Sequence, residues 1–353
     1  MLRDSLFFSA VFLCAAFGQA QTPKAALPPL PPPMNVPKTG PAGDGPYAPQ
    51  PILQGGIVVT LFPPNSPYLK PEKIREPEQY NMSQAVPGRI SSIVNIHNPS
   101  IEIHTVESGI NTGAAVILAA GGGHNTLNVG GESADFVPFF YNYGVNTGIL
   151  RNRLRKDGYV AETDAVYDAQ QAIRTVRAHA AELGIDPRKI GIMGFSAGAE
   201  LTAGAALQYE AFDTAHGGSD PLAGVSSRPD FAGLVYPGPT PFRRDAKTAV
   251  PADAPPTFIV CAGSGDAQHA IWADDYFRAF LTARVPNLEM HIYGNGVHAN
   301  GMKDRNGDPF GTWHERFVDW FRDLGFLQKS GVETKAAKDV AAYTAQRKNP
   351  AKS

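Results

Sequence analysis

The chain has 353 residues, 43% hydrophobic and 18% charged, which is enough apolar material for one large core or two small ones and too much for a disordered chain. A formal net charge of -2 leaves no basic footprint for nucleic acid or for anionic lipid. Two cysteines, Cys14 and Cys261, exclude a disulfide scaffold and a thiolate zinc cluster.

Residues 1–20 read as a secretory signal peptide. Arg3 supplies the positive end, Leu6 to Phe17 the apolar stretch, and Gly18-Gln19-Ala20 a small-x-small cleavage site. The apolar stretch is shorter than the ~20 residues that span a bilayer. The expectation is therefore a secreted or periplasmic protein with no membrane insertion after signal cleavage. Cleavage removes Cys14, and Cys261 alone cannot form an internal disulfide. Eleven prolines between Pro23 and Pro51 predict an extended, proline-rich tether over residues 21–51. Residues 52–88 form a lead-in. At the other end, residues 329–353 alternate Lys, Ala and Glu, and predict a frayed or disordered charged tail.

Between these ends, residues 89–328 alternate strand and helix signals. Ser91 to His97 and Ser100 to Val106 predict an antiparallel pair about the turn Asn98-Pro99. Ala114 to Ala120 is a continuous apolar run, as a buried parallel strand requires, and ends in Gly121-Gly122-Gly123. Val145 to Leu154 predicts the next strand, and Thr163 to Leu183 a helix stopped by Gly184 and Asp186-Pro187. Three strand-and-helix units follow. Lys189 to Phe195 leads to helix Ala197 to Leu207. Phe231 to Tyr236 is a strand, and Thr257 to Ala262 a strand with helix Ile271 to Ala283. The last strand is Leu288 to Tyr293 and the last helix Trp313 to Leu324. The fold class is α/β, a mostly parallel sheet with helices on both faces. Such sheets place their sites at the carboxyl ends of strands.

Three polar residues meet that condition. Gly194-Phe195-Ser196-Ala197-Gly198 is a G-x-S-x-G turn between strand and helix, where small neighbours let the chain lift a serine hydroxyl clear of the sheet. That hydroxyl needs a base, and His298 follows the last strand; His179, His291 and His314 sit on or inside other elements. The base needs an acid to fix its tautomer, and Asp266 follows the strand Thr257 to Ala262. The order Ser196, Asp266, His298 is that of α/β-hydrolases. Gly122 and Gly123, with the N–H of Ala197, are the expected oxyanion donors. A phosphate loop is excluded because neither G-x-G-x-x-G nor G-K-[ST] is present.

With these residues in place, the chain resembles secreted α/β-hydrolases of the bacterial acetylxylan and feruloyl esterase-like group. The resemblance rests on AAVILAAGGGH, ILRNRL, IDPRKIGIMGFSAG, SRPDFAGLVYPG and VHANGM. It implies an α/β-hydrolase fold, with Ser196, Asp266 and His298 as triad and the Gly122–Gly123 region as oxyanion loop. Three places depart from the group's pattern. His124 stands where an aromatic is usual, Asn152-Arg153-Leu154 replaces Tyr-Arg-Leu, and Ala199-Glu200 replaces Gly-His.

Loops His124 to Asp135, Gln208 to Arg228 and Ala299 to Thr312 are expected to surround Ser196. His124, Asn125 and Glu132 are the expected substrate contacts, and residues 208–228 a lid or wall. Asp304 to Glu315 has the outer spacing of a calcium loop, but Gly307 and Pro309 are misplaced for one, so it reads as a turn and no metal is expected. The leading function is a serine esterase acting through an acyl-enzyme on short-chain or carbohydrate-linked (acetyl or feruloyl) esters, small or polymeric, with no cofactor. The alternatives are a prolyl-oligopeptidase-like serine peptidase and a catalytically silent hydrolase-fold binding protein. A lipase is disfavoured by the absence of an apolar lid helix. The pattern sets neither the acyl and alcohol groups nor an oligomeric state.

Overall fold

The structure is a computed structural model that describes residues 34–38, 43–216, 220–298, 301–302 and 309–348. The expected signal peptide, residues 21–33 of the tether and Asp304 to Asp308 lie outside the described residues. The strands are β1 (Ile57–Thr60), β2 (Gln79–Met82), β3 (Ile90–Val94), β4 (Ser100–His104), β5 (Ala115–Ala119), β6 (Asn146–Arg151), β7 (Ile190–Phe195), β8 (Ala232–Val235), β9 (Thr257–Ala262) and β10 (Glu289–Tyr293). The helices are α1 (Phe136–Tyr141), α2 (Val166–Ala178), α3 (Ala197–Ala215), α4 (Pro241–Arg244), α5 (Ala267–Thr282), α6 (Trp313–Asp323) and α7 (Lys335–Lys348).

Eight strands form one sheet in the order β1-β4-β6-β5-β7-β8-β9-β10, parallel from β6 to β10 and antiparallel at β1 and β4. Central strands β5, β7, β8 and β9 are buried at every position, which is why their sequences are near-continuous apolar runs. One cluster includes α1, α5 and α6, with Phe136, Phe195, Trp313 and Phe317; another includes α2, with Ala169, Ile173, Val176 and Leu201. In α6, Trp313, Phe317, Trp320 and Phe321 are buried at spacings of four, three and one, a single helical face. The order reverses about β5: the chain goes from β5 to β6 on one side, then to β7 on the other. That reversal opens a crevice at the carboxyl ends of β5 and β7.

Several sequence expectations need correction. The runs either side of Asn98-Pro99 do not pair with each other. Strand β3 pairs with β2, Tyr80 opposite Ile93, while β4 enters the main sheet between β1 and β6. Two short strands with similar patterns carry no register information, and the main sheet offers β4 two partners instead of one. The packed unit also exceeds 89–328 at both ends. Strand β1 caps the sheet edge, and Ile52 and Leu53 are buried, their N–H groups each 2.9 Å from the Glu102 carboxylate. Glu102 and Arg151 are fully buried and paired, with Glu78 on the second side of Arg151. Tyr47 donates its N–H to Ile74 O at 2.7 Å, so the described end of the expected tether is held on the domain.

At the other end, residues 335–348 form helix α7 instead of a frayed tail. Ala336, Val340 and Tyr343 are buried on one face, and Tyr343 donates its hydroxyl to Ala283 O at 3.0 Å. Residues 208–215 continue α3, because Tyr209 and Phe212 extend its buried face and His216 stacks on Phe212 at 3.8 Å. Nineteen residues at ~1.5 Å each carry the end of α3 away from Ser196 by roughly 28 Å. Residues 208–216 are therefore neither lid nor wall.

Candidate active site

The carboxyl end of β7 turns sharply into α3 at Ser196, whose φ of 52° and ψ of -118° leave the ordinary regions for a side-chain-bearing residue. The turn is possible because the residues two before and two after it lack side chains. A Cβ on Gly194 would meet Gly198 O at 2.1 Å, and one on Gly198 would meet Ala119 O at 1.9 Å. Ser196 also donates its N–H to Val235 O at 3.0 Å, and its own carbonyl accepts Gly238 N–H at 3.2 Å. Strand β8 and the turn after it therefore hold the strained residue in place.

The three residues brought together in sequence order are also together in space. His298 Nε2 is 2.8 Å from Ser196 Oγ, and His298 Nδ1 is 2.8 Å from Asp266 Oδ2. With the proton on Nδ1, Nε2 is the acceptor for the serine hydroxyl. Burial alone would raise the Asp266 carboxyl, but hydrogen bonds from His269 and His298 outweigh it and hold the group below its ordinary value. Ser196 and His298 are half-buried, so the site opens to solvent. Asp266, His269 and His298 bring ligand atoms within 4.8 Å of one another, a set with the donors for a metal ion. Both carboxylate oxygens are already taken by imidazole nitrogens at 2.5 and 2.8 Å, so the cluster is complete as a hydrogen-bonded unit.

The glycine loop after β5 stands beside Ser196. Gly122 has φ 129°, and a Cβ there would sit 2.2 Å from Thr126 O, so the tight loop excludes any larger residue. Ala197 opens α3, whose first N–H groups have no acceptor within the helix. Gly121 faces inward, donating its N–H to Glu132 Oε2 at 2.8 Å.

Glu132 is a correction. It is 4% exposed, and its other oxygen accepts the hydroxyl of Tyr236 at 2.9 Å. Burial pushes its carboxyl up, against the pull of these two donors. It supports the glycine loop from beneath, buried with both oxygens turned to protein donors. His124 is also turned in, with Nε2 3.4 Å from Glu200, which in turn pairs with Arg244. Asn125 is exposed on the loop. Of the three expected substrate contacts, it alone keeps a solvent-facing side chain.

Two residues of the site had no role in the sequence reading. Tyr236 follows β8, packs against the His298 ring at 4.9 Å, and receives Gly301 N–H at 3.3 Å. Burial, then the adjacent Glu132 carboxylate, push its phenol well above the ordinary value, so it remains a donor. His269 bonds the second oxygen of Asp266. Its signal was available: Asp and His three apart at the start of a helix share one face.

Strand order and a serine held at the switch point are those of the α/β-hydrolase fold. Residues 103–226 match the BD-FAE family model. Over 99 residues the chain is 33% identical to endo-1,4-beta-xylanase B of Butyrivibrio fibrisolvens, a stretch covering 28% of this chain and 15% of that protein. The chain thus spans a small part of that relative's length. Among solved structures, an acetyl ester-xyloside bifunctional hydrolase from Caldicellulosiruptor lactoaceticus has a TM-score of 0.59 at 23% identity, covering 77% of this chain and 97% of its own. Thermogutta terrifontis esterase 2 phosphorylated by paraoxon has a TM-score of 0.54 at 19% identity, covering 78% and 96%. A carboxylesterase from Lactobacillus plantarum has a TM-score of 0.54 at 17% identity, covering 72% and 100%. At these identities the likeness is one of fold.

Proposed function

We propose that the protein is a serine carboxylic-ester hydrolase acting through an acyl-enzyme. The observation that carries this reading is the relay of 2.8 Å contacts from Ser196 Oγ through His298 to Asp266, at a strained turn beside a glycine loop. Ser196 Oγ attacks the ester carbonyl carbon as its proton passes to His298 Nε2. The N–H groups of Ala197 and the Gly122–Gly123 loop receive the developing oxyanion. The carbonyl re-forms, the alcohol leaves with the proton from His298, and water repeats the sequence on the acyl-enzyme to return free serine.

The favoured substrates are short-chain or carbohydrate-linked acetyl or feruloyl esters. Support comes from the family match over residues 103–226 and from the names of the relatives, a xylanase and an acetyl ester-xyloside hydrolase. An open site with half-buried Ser196 and His298 suits an ester carried on a bulky chain. Export to the periplasm or medium fits such a substrate and the Leu6 to Phe17 segment. No helix of the described residues is long and apolar enough to cross a membrane.

The test is hydrolysis of p-nitrophenyl acetate, butyrate and decanoate, methyl ferulate and acetylated xylan by the wild type and Ser196→Ala. Short-ester hydrolysis that disappears in the variant is expected, with acetate or ferulate released from the carbohydrate substrates. Equal activity in both proteins would overturn the assignment of Ser196. Activity confined to decanoate would overturn the substrate class. Mass spectrometry of exported protein beginning after Ala20 would support the leader, and an intact amino terminus would count against it.

A further inference from the structure

His269 is a member of the site for which the reaction above has no use. It lies in the first turn of α5, its Nδ1 2.5 Å from Asp266 Oδ1, while His298 holds Oδ2. The two imidazoles lie face to face, 3.8 Å between centroids and 23° between planes. Trp272 packs its edge against His269 at 4.9 Å. The groups facing His269 are thus Asp266 on its own helix end, His298 from the loop after β10, and the uncharged Trp272.

Asp266 has a second use for its carboxylate. It occupies the N-cap position of α5, where an aspartate side chain ordinarily accepts an N–H two or three residues on. Here no side-chain cap bond is made; both oxygens are turned out toward the two imidazoles. The capping arrangement would draw the carboxylate back over the helix end. A donor fixed on the Oδ1 side opposes that movement.

We infer that His269 is a positioning residue: its Nδ1–H holds Asp266 away from the helix cap and aligned on His298. The inference rests on the serine-hydrolase reading. The effect of His269 reaches Ser196 only through Asp266 and the tautomer of His298.

Three variants separate the hydrogen bond from the stack. His269→Val removes both, His269→Phe keeps a ring without a donor, and His269→Asn keeps an N–H near the position of Nδ1. With p-nitrophenyl acetate, Val and Phe are expected to lower kcat on the order of tenfold or more, as loss of a charge-assisted hydrogen bond implies, with KM within about twofold. Asn restores most of kcat. The melting temperature of the Val variant holds or rises, since Asp266 is released to cap α5. Full kcat in the Val variant, or in Phe, would overturn the donor role. So would loss in all three with falling melting temperatures. The reaction itself is checked separately by Ser196→Ala: retained activity there sinks the hydrolase reading, whereas an inactive Ser196→Ala beside a fully active His269→Val sinks the positioning role alone.

Discussion

Tyr236 and Glu132 stand 104 residues apart in the chain and meet at 2.9 Å beneath the site, joining its two sides. Glu132 holds the N–H of Gly121 at the root of the glycine loop, and Tyr236 receives the N–H of Gly301 three residues after His298. The glycine loop after β5 and the loop that carries His298 are thus tied through one buried carboxyl–phenol pair. Tyr236→Phe keeps the ring against His298 and cuts the tie. A stability loss of ~1–3 kcal/mol is expected from the unsatisfied buried groups. A fall in kcat of about tenfold, or ~1.4 kcal/mol in barrier, is expected from the loosened loops. Chemical unfolding and ester kinetics measure the two separately, and unchanged kcat would show that the loops keep their positions without the tie.

Asp266→Asn replaces the carboxylate oxygen at His298 with an amide NH2, which donates to Nδ1 and cannot accept its proton. The histidine is then free to present its proton to Ser196 in place of its lone pair. A loss of kcat on the order of 10³–10⁴-fold is expected, as in serine proteases so altered. A loss of under tenfold would mean that His298 needs no acid.

Gly122→Ala places a methyl group 2.2 Å from the Thr126 carbonyl oxygen at a backbone φ of 129°. The loop must move, taking a donor from the oxyanion. A rate loss of ~10²–10³ is expected, with a stability loss of ~1–3 kcal/mol from the strained backbone. Wild-type kcat in this variant would remove the glycine loop from the mechanism.

His314 predicts an acid-side stability loss. It is buried against Phe139, and burial lowers its value to about 4 from 6.5. The unfolded chain takes the proton first as pH falls, so stability falls from near pH 6.5 downward and this contribution is exhausted near pH 4. The full effect is ~3 kcal/mol by proton linkage. His314→Leu should flatten that slope in urea-unfolding midpoints measured across the range. An unchanged slope would place the sensitivity elsewhere.

The parallel core was legible because complete burial forces continuous apolar strands: Thr257–Ala262 has the same bounds in the sequence and in the fold. The relay was legible because each member follows a strand. Less local features escaped. The sequence pattern of Ser91 to Val106 suits a hairpin as well as two separate sheets, and only the vacancies beside β1 and β6 decide between them. The buried face of α7 is three residues, Ala336, Val340 and Tyr343, diluted among charges. Glu132 misled because a loop glutamate ordinarily faces water. Its burial depends on donors from Gly121 and Tyr236, whose meeting no spacing in the chain reveals.

The bonds from Ile52 and Leu53 to Glu102 bear on how this protein can be cut. Recombinant trimming ordinarily starts just ahead of the first strand, which here would mean near Ile57. Such a fragment would strip two N–H donors from a carboxylate with 0% exposure, and remove the Gln50 carbonyl that Arg151 also uses. The loss falls on a buried ion pair, where a missing partner costs most. A display fusion or crystallisation variant should therefore keep residues from Tyr47 onward, and place any cleavable tag upstream of them.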